Sequence, residues 1–289
     1  MKETILTVKR PVMRYHGGKW RLAPWIISHF PDHKVYVEPF GGAASVLMQK
    51  TRSYSEVYND MDGEVVNLFK ILRDPEKSEQ LISVLHLTPY SKDEFKLSYE
   101  KSDDPIEQAR RTVYRSFAGF GSGAASGHQT GFRACSNKSN TAPAHDWANY
   151  PGKLPDIIDR LRGVVIENKS AIDVIKQHDT DKTLIYADPP YHHSTRMPNA
   201  HYSGVYKHEM TDYDHKELAK VLRSVSGMVV ISGYPCALYD KYLYPDWMRV
   251  DRNAFADCAL ERTEVLWINK SAEIELNKKK RAEQMELFG

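Results

Sequence analysis

Short apolar runs alternate with amphipathic, helix-like runs along most of this chain, and this alternation constrains its fold more than any other feature. Runs of three to seven residues rich in Val, Ile, Leu and Tyr are typical of buried strands, and helices between successive strands favour a parallel sheet. The strand-like runs lie at 35–38, 56–60, 164–166, 183–186, 228–232 and 263–269. The sequence therefore predicts an α/β fold built on a largely parallel sheet.

The stretch from residue 89 to residue 155 interrupts this alternation. It is rich in Gly, Ser, Ala and Asn, and a capping signal, Ser91-x-x-Glu94, predicts that a helix begins near its start. We expect a main domain formed by 1–88 and 156–270, with 89–155 inserted as a lobe of helices and loops. The remaining residues, 271–289, form a charged tail, helical or loose.

Composition excludes some classes of protein. The chain has 289 residues, 41% hydrophobic and 27% charged, and no apolar run approaches the roughly 18 residues that a membrane span requires. Its first residues lack the apolar core of a secretion signal. Three widely spaced cysteines argue against a disulfide framework or a zinc pattern. We expect a cytoplasmic protein that does not contact a membrane.

The net charge of +2 conceals an uneven distribution. Between Gln108 and His145 there is no Asp or Glu, although the same window contains several cations. A local positive field of this kind favours a polyanionic partner, and guanidinium groups pair with phosphates and with base edges. A solvated loop is the simpler alternative. The candidate contacts are Arg110, Arg111, Arg115, Arg133 and Lys138.

A glycine-rich turn follows the first predicted strand, with the sequence Glu-Pro-Phe-Gly-Gly at 38–42. In doubly wound sheets such turns let a ligand approach the backbone, and an acid about twenty residues later can accept hydrogen bonds from ribose hydroxyls. Asp60 stands at that offset. The pair indicates a nucleoside-containing cofactor, and an ordinary strand-to-helix turn remains the alternative. Upstream, residues 14–20 contain Gly-Lys but lack the further glycine and the Ser or Thr of a phosphate-binding loop.

The run at 183–186 ends in Asp188, Pro189, Pro190 and Tyr191. The Asp188 carboxylate and the Pro189 carbonyl are hydrogen-bond acceptors held at a strand end, because proline has a fixed φ and no N–H. Two acceptors beside an aromatic ring suit the exocyclic amino group of a planar base. A plain Asp-Pro turn is the alternative, and it is uncommon in this form after an apolar run.

These motifs, in this order, resemble those of the Dam-type (D12 class) site-specific DNA adenine-N6 methyltransferases of bacteria and phages. The resemblance covers the chain from Met13 to about Asn269 and rests on residues 15–19, 38–42, 59–60 and 188–191. It implies a Rossmann-like sheet, S-adenosylmethionine as the methyl donor and double-stranded DNA as the substrate, with 89–155 as the target-recognition lobe. The residues carried over for the cofactor are Tyr15, Lys19, Glu38, Phe40, Gly42, Asp60 and Asp188, and the catalytic motif is Asp188, Pro189, Pro190 and Tyr191.

The chain departs from the family pattern at three places. Tyr15 stands where a tryptophan is frequent, and Ala44 replaces the second glycine of the turn. The segment 115–120 lacks the Asn-Gly pair that the family often uses for DNA contact, which leaves the recognition sequence open.

The resemblance also implies a mechanism. An adenine inside a duplex cannot reach a buried cofactor, so it must be flipped out of the helix and stacked in the pocket, with Tyr191 as the stacking partner. Asp188 and the Pro189 carbonyl then hold N6 in line with the methyl group. Methylation of cytosine N4, of an RNA base or of a protein amide, and a catalytically silent DNA-binding relative, are the alternatives.

Three further features invite functional readings. The histidines at 192, 193, 201, 208 and 215 match no zinc spacing, so we expect no metal. Pro235-Cys236 lies after the catalytic motif, and we interpret the cysteine as a buried thiol. The terminal residues include Gln284, Leu287 and Phe288 and resemble the Gln-x-x-Leu-Phe peptide that bacterial replication proteins insert into the sliding clamp. An amphipathic terminal turn packed on the core is the alternative.

Overall fold

A computed structural model of the chain describes residues 8–121, 123–134, 142–195, 207–255 and 261–288. Seven strands form one sheet in the order β3-β2-β1-β4-β5-β7-β6. Their bounds are β1 Val35–Glu38, β2 Ser55–Asn59, β3 Val164–Glu167, β4 Thr183–Ala187, β5 Met228–Gly233, β6 Met248–Phe255 and β7 Glu261–Ile268.

The first five strands are parallel, and β7 runs antiparallel to both β5 and β6. The chain moves outward from β1 to β2 and β3 and then returns to pair β4 with β1, so the strand order reverses between β1 and β4. In open α/β sheets, ligands bind beyond the carboxyl ends of the strands at such a reversal. The Rossmann-like fold predicted from the sequence is confirmed by this topology.

Helices cover both faces of the sheet. Alternate strand residues face opposite sides, so Tyr36 and Tyr186 join one apolar cluster while Val37 and Ile185 join the other. Helices α9 and α10 pack against the face that contains Val37 and Ile185. The other helices that contribute buried residues pack against the opposite face. The helix bounds are α1 Ala23–Ile27, α2 Ser45–Gln49, α3 Gly63–Arg73, α4 Pro75–Leu87, α5 Lys92–Leu97, α6 Pro105–Ala118, α7 Pro143–Ala148, α8 Leu154–Leu161, α9 Ala171–His178, α10 Asp212–Ser224 and α11 Lys270–Phe288.

The inserted lobe lies between β2 and β3 and consists of α5, α6 and α7 with their connections. Its central helix, α6, packs along α3 of the main domain. Val113 and Phe117 of α6 belong to the same apolar cluster as Val66 and Phe69 of α3. The lobe therefore continues the core of the main domain, although 89–155 stands apart in composition.

The structure contains elements that the sequence patterns did not reveal. β6 carries Arg249, Asp251 and Arg252 among its first five residues, so it lacks the apolar run of a buried strand. Its place at the edge of the sheet explains the charges, because edge strands tolerate them. The charged tail is a single helix, α11. Among the described residues, no helix is long and apolar enough to cross a membrane.

Candidate active site

A cavity of about 370 Å³ opens at the reversal of the strand order, beyond the carboxyl ends of β1, β2 and β4. Small-molecule and cofactor sites typically have volumes of about 300–1,000 Å³. Its walls include every residue that the sequence assigned to the cofactor. These are Tyr15, Lys19, Glu38, Phe40, Gly42, Asp60 and Asp188, and Pro190 of the catalytic motif joins them.

The glycine turn after β1 is packed too tightly for side chains. A Cβ at Gly41 would lie 2.1 Å from the Tyr58 ring, and one at Gly42 would lie 2.9 Å from the Tyr15 ring. Gly42 also has a φ of +48°, a left-handed conformation that favours glycine. The two glycines thus let the turn lie against the rings of Tyr58 in β2 and Tyr15 in the motif at 15–19. Tyr15 therefore lies at the cavity.

Glu38 is buried at the end of β1 and faces the cavity. Its Oε2 atom accepts hydrogen bonds from the Tyr36 hydroxyl at 2.8 Å and from the Leu47 backbone N–H at 3.1 Å. The second bond satisfies an amide in the first turn of α2, whose N-cap, Ala44, makes no side-chain capping bond. Burial raises the pKa of Glu38 to about 8, against the opposing effect of the Tyr36 hydrogen bond. Glu38 therefore anchors the turn as well as lining the cavity.

Asp60 follows β2 and stands across the glycine turn. Its carboxylate accepts the Gly42 N–H at 2.8 Å and the Asp62 N–H at 2.7 Å. Burial raises its pKa, and these two backbone bonds oppose the rise. Each carboxylate oxygen retains further capacity to accept a hydrogen bond, and Asp60 lines the cavity, so the group could accept a hydroxyl of a diol.

Asp188 is held from two sides at the end of β4. Lys19 Nζ lies 2.9 Å from its Oδ2 atom, and the Ser232 hydroxyl donates to its Oδ1 atom at 2.7 Å. Lys19 is 5% exposed and also donates to the Gly17 carbonyl at 2.7 Å. The motif at 15–19 and the motif at 188–191, which are far apart in the sequence, thus meet through one ion pair.

Tyr191 is buried behind the strand end. Its hydroxyl donates a hydrogen bond to Glu264 of β7, and Lys19 Nζ stands 4.6 Å from the ring centroid. The Tyr234 ring meets it edge-on with centroids 4.7 Å apart. The ring therefore lies behind Lys19, and the predicted stacking role of Tyr191 remains a prediction.

Glu264 and Ser232 belong to the site, and sequence reasoning missed both. Burial raises the pKa of Glu264 to about 7, and nearby Lys19 opposes the rise. Ser232 ends the strand predicted at 228–232, which is β5, the neighbour of β4. That position at a strand end was the one sequence feature that could have placed Ser232 near Asp188. Glu264 gave no signal, because an acid inside a strand-like run has no motif.

The arginines of α6 face the interior, and the contacts with DNA predicted for them remain a prediction. Arg110 is 8% exposed and pairs with Glu107 at 2.6 Å and Glu94 at 2.7 Å. Arg115 is 4% exposed and pairs with Glu64 at 2.8 Å.

Arg111 is half-buried and bonds Glu107 at 2.7 Å. The acids come from outside the window 108–145, so the charges of these three arginines are compensated within the fold. We assign Arg110, Arg111 and Arg115 to holding the inserted lobe together.

Arg133 differs from the arginines of α6. Its backbone N–H donates to the Ala118 carbonyl at 2.8 Å and its carbonyl accepts from the Tyr90 hydroxyl at 2.7 Å. Among the described residues, its side chain is in no ion pair. The nearby Phe120 is 55% exposed. Lys138 lies outside the described residues, so its predicted role is not addressed by the structure.

Two histidines meet an acid that is distant in sequence. His192 Nε2 lies 2.8 Å from Asp212 Oδ1, and its Nδ1 lies 2.7 Å from the Ser194 hydroxyl. With His193, these ligand-type atoms all lie within 4.8 Å of one another, a group that could hold a metal ion and that sequence spacing did not reveal. Both nitrogens of His192 are already hydrogen-bonded, so we interpret the group as a tie between the catalytic motif and α10.

The remaining sequence features also have defined places. Cys236 is half-buried after β5, and burial raises the pKa of its thiol, as expected of an unreactive cysteine. Gln284 is exposed on α11, while the side chains of Leu287 and Phe288 lie outside the described residues.

The cavity fits S-adenosylmethionine by the chemistry of its walls. Asp60 brings to the wall a carboxylate, a group that can accept hydrogen bonds from a diol, and Phe40, Ile172 and Met210 bring apolar surface that suits an adenine ring. Lys19 and Tyr15 bring polar side-chain groups to the same cavity. Lys207 lies over this part of the wall and is paired with Asp62 at 2.7 Å.

Comparison with known proteins gives one strong match. A family model described as D12 class N6 adenine-specific DNA methyltransferase matches residues 15–253, which is most of the chain. Among solved structures, SMU.472, determined in complex with SAH, is similar over 91% of this chain at 12% identity with a TM-score of 0.37. This chain spans 55% of that one, so the match carries no argument about activity. No curated protein matches the sequence.

Proposed function

Since the chain belongs to the D12 class N6 adenine-specific DNA methyltransferase family, we propose that it transfers a methyl group from S-adenosylmethionine to the N6 amino group of an adenine in double-stranded DNA. The observation that carries this proposal is the meeting of the two halves of the site. The Asp188 carboxylate, fixed by Lys19 and Ser232, lines the same cavity as the glycine turn and Asp60.

The residues have distinct tasks in this proposal. The cofactor supplies a methyl group activated by a sulfonium. Asp188 accepts a hydrogen bond from the N6–H of the target base, and the Pro189 carbonyl accepts the second, which turns the nitrogen lone pair toward the methyl carbon. The N6–carbon bond forms as the carbon–sulfur bond breaks, and N6 then releases one proton to solvent. Lys19 and Ser232 keep the Asp188 oxygens in place.

The target base reaches this site only if it leaves the duplex. The Asp188 carboxylate is partly buried at a strand end, so a stacked base cannot approach it, and flipping costs a few kcal/mol. We infer that the base enters beside Pro190 and Tyr191. The main domain, 1–88 and 156–270, holds the cofactor, and the inserted lobe, 89–155, reads DNA through residues near Phe120, Arg133 and Lys138.

One experiment tests the proposed function. The chain is expressed in bacterial cells that lack their own adenine methylation, and their DNA is digested to nucleosides and analysed by mass spectrometry. N6-methyladenine is expected with the wild-type chain and not with Asp188→Ala. N4-methylcytosine in its place would favour the alternative substrate, and no methylated nucleoside would favour a silent DNA-binding relative.

The exposed Gln284 supports a second, separate contact. We propose that Gln284, Leu287 and Phe288 bind a bacterial sliding clamp, which requires the last turn of α11 to open. The double variant Leu287→Ala, Phe288→Ala is expected to lose clamp binding while it keeps methyl transfer on short duplexes. Unchanged clamp binding would refute this contact and leave the methyltransferase proposal untouched.

A further inference from the structure

The hairpin formed by β6 and β7 presents two arginines on one face. Arg252 is directly opposite Glu264, and Ala254 is directly opposite Arg262. Residues two apart on a strand share a face, as do residues directly opposite each other. Arg252, Arg262 and Glu264 therefore lie on the same face, and Arg249 and Asp251 lie on the other.

The face that carries Arg252 and Arg262 lies beside the catalytic motif. Glu264 receives the hydrogen bond of Tyr191. The Arg262 guanidinium carbon is 5.9 Å from the ring centroid of Tyr234, whose edge contacts Tyr191. The hairpin face therefore continues the wall of the site away from the cofactor cavity.

Both arginines rest on aromatic rings. Arg252 lies 5.6 Å from the ring centroid of Trp25 in α1, just after the motif that supplies Lys19. A guanidinium stacked on a ring keeps its N–H groups at the edge, where they can bond to oxygen atoms. The rings thus hold the two cations in defined places.

Their charges are unpaired in the part of the chain that the structure describes. Arg252 is exposed, and neither it nor Arg262 is in an ion pair there. By contrast, Arg249 on the opposite face pairs with Asp240 and Asp251, each at 2.8 Å. Glu264 shares the face with the two arginines, but it is bound to Tyr191 and lies in the field of Lys19.

We propose that Arg252 and Arg262 bind backbone phosphates of DNA that flank the flipped adenine. A nucleotide whose base enters beside Tyr191 leaves its phosphates at the mouth of the site, where the hairpin face lies. Two guanidinium groups that have no acidic partner among the described residues supply the charge-assisted donors that phosphate oxygens accept. This assignment rests on the proposed function, and it adds the hairpin to the parts of the chain proposed to contact DNA.

The test measures binding to a fluorescently labelled pool of randomised duplexes as a function of salt. Each phosphate contact contributes about 0.9 to the magnitude of the slope of log affinity against log salt concentration. At 0.1 M salt, the loss of one such contact corresponds to about a tenfold loss of affinity. Arg252→Gln and Arg262→Gln are each expected to weaken binding by about tenfold and to lower the slope by about one. The double variant is expected to lower the slope by about two.

Arg249→Gln is the matched control, since it removes a paired arginine from the opposite face of the same strand. It is expected to leave the salt slope unchanged. Binding of S-adenosylhomocysteine, measured by calorimetry, is expected to be the same in all variants. If a glutamine variant does not fold, the Arg→Lys variant at the same position tests the contact instead. Its retained charge is expected to preserve the salt slope, and the loss of the stacked guanidinium is expected to lower the affinity.

The outcomes separate this inference from the proposed function. If the wild-type chain methylates DNA and the variants at 252 and 262 keep its salt slope, the phosphate contacts are refuted and the function stands. An equal reduction of the salt slope by Arg249→Gln would also refute the phosphate contacts of Arg252 and Arg262. If the wild-type chain binds no DNA, both proposals fail.

Discussion

Ala44 holds a backbone conformation that an alanine rarely adopts. Its φ is 52°, and among the described residues it is the only residue other than glycine with a positive φ. The left-handed conformation costs an L-residue roughly 1–2 kcal/mol relative to the right-handed one. The cost falls at the turn that builds the cavity, where the chain departs from the glycine of its family.

This strain predicts a difference between two neighbouring substitutions. Ala43 and Ala44 are both buried, so replacing either by glycine removes a similar methyl contact. Only Ala44→Gly also relieves the left-handed strain. We expect its free energy of unfolding to exceed that of Ala43→Gly by about 1 kcal/mol. Urea denaturation measures both, and equal values would show that Ala44 is unstrained.

Glu38 makes stability depend on pH in the direction opposite to that of an ordinary paired carboxylate. Burial raises its pKa from 4.5 to about 8, so the folded protein binds the proton more tightly than the unfolded chain does. The stabilising contribution is complete below the unfolded pKa and is lost as pH rises through the folded pKa.

Glu38→Gln removes this titration. The free energy of unfolding of the variant, relative to the wild type, is expected to increase as the pH rises from 4.5 to about 8. Urea denaturation across that range measures it, with Glu79→Gln, at an exposed position, as the control. Parallel curves for the wild type and Glu38→Gln would contradict the raised pKa.

At this scale the sequence predicts residues whose role follows from a local motif. Asp188, Lys19 and Asp60 each stand in a recognisable pattern, and the structure places all three around the cavity. The burial of Tyr191 follows from Glu264, a residue 73 positions away along the chain. No local pattern carries that pairing, because it depends on how β7 lies beside the catalytic motif.

At the scale of the elements, α6 depends on a buried arginine. Arg115 donates to the carbonyls of Ser98 and Ala124 at 2.9 and 2.7 Å and pairs with Glu64 of α3. One guanidinium thus ties the lobe helix to its own loops and to the main domain. Its removal leaves buried acceptors and a carboxylate without their donor.

We expect Arg115→Met to lower the free energy of unfolding by about 3–5 kcal/mol, the range for breaking a buried pair. Arg133→Met, at a residue in no described ion pair, is expected to change stability by no more than about 0.5 kcal/mol. Chemical denaturation compares the two variants. A small effect of Arg115→Met would mean that its guanidinium is available for another partner.

The elements themselves were predictable where local composition decides them. β1, β4 and β5 are buried on both faces, so each appears in the sequence as an apolar run. β6 lies at the edge and carries charges, so it gave no such signal. The arginines of α6 suggested an exposed, positively charged surface because their acidic partners lie outside the acid-free segment 108–145.

At the scale of the whole molecule, the order of the strands creates the site. β4 pairs with β1 only because the chain returns across the sheet after β3, and this return brings Asp188 opposite the glycine turn. Alternating strands and helices predict a parallel sheet, but they do not determine the order of the strands within it. The motif order was therefore predictable, while the contact between Lys19 and Asp188 required the fold.

Because the cavity belongs to the folded state alone, its ligand is expected to stabilise the protein. S-adenosylhomocysteine at 100 times its dissociation constant raises the free energy of unfolding by about 2.7 kcal/mol. Asp60→Asn is expected to reduce the resulting increase in melting temperature, and Asp181→Asn, at an exposed position, is expected to preserve it. An unaltered increase in Asp60→Asn would remove Asp60 from the cofactor site.

The most direct test of the central claim, that Asp188 joins the two halves of the site, is a single-turnover measurement of methyl transfer from labelled S-adenosylmethionine to adenine N6 in DNA. The account predicts that Asp188→Asn slows transfer by at least about 100-fold, as expected when a positioning acceptor in the transition state is altered. Binding of S-adenosylhomocysteine is expected to persist, since Asp60 and the glycine turn are intact. Transfer by Asp188→Asn at the wild-type rate would contradict the account.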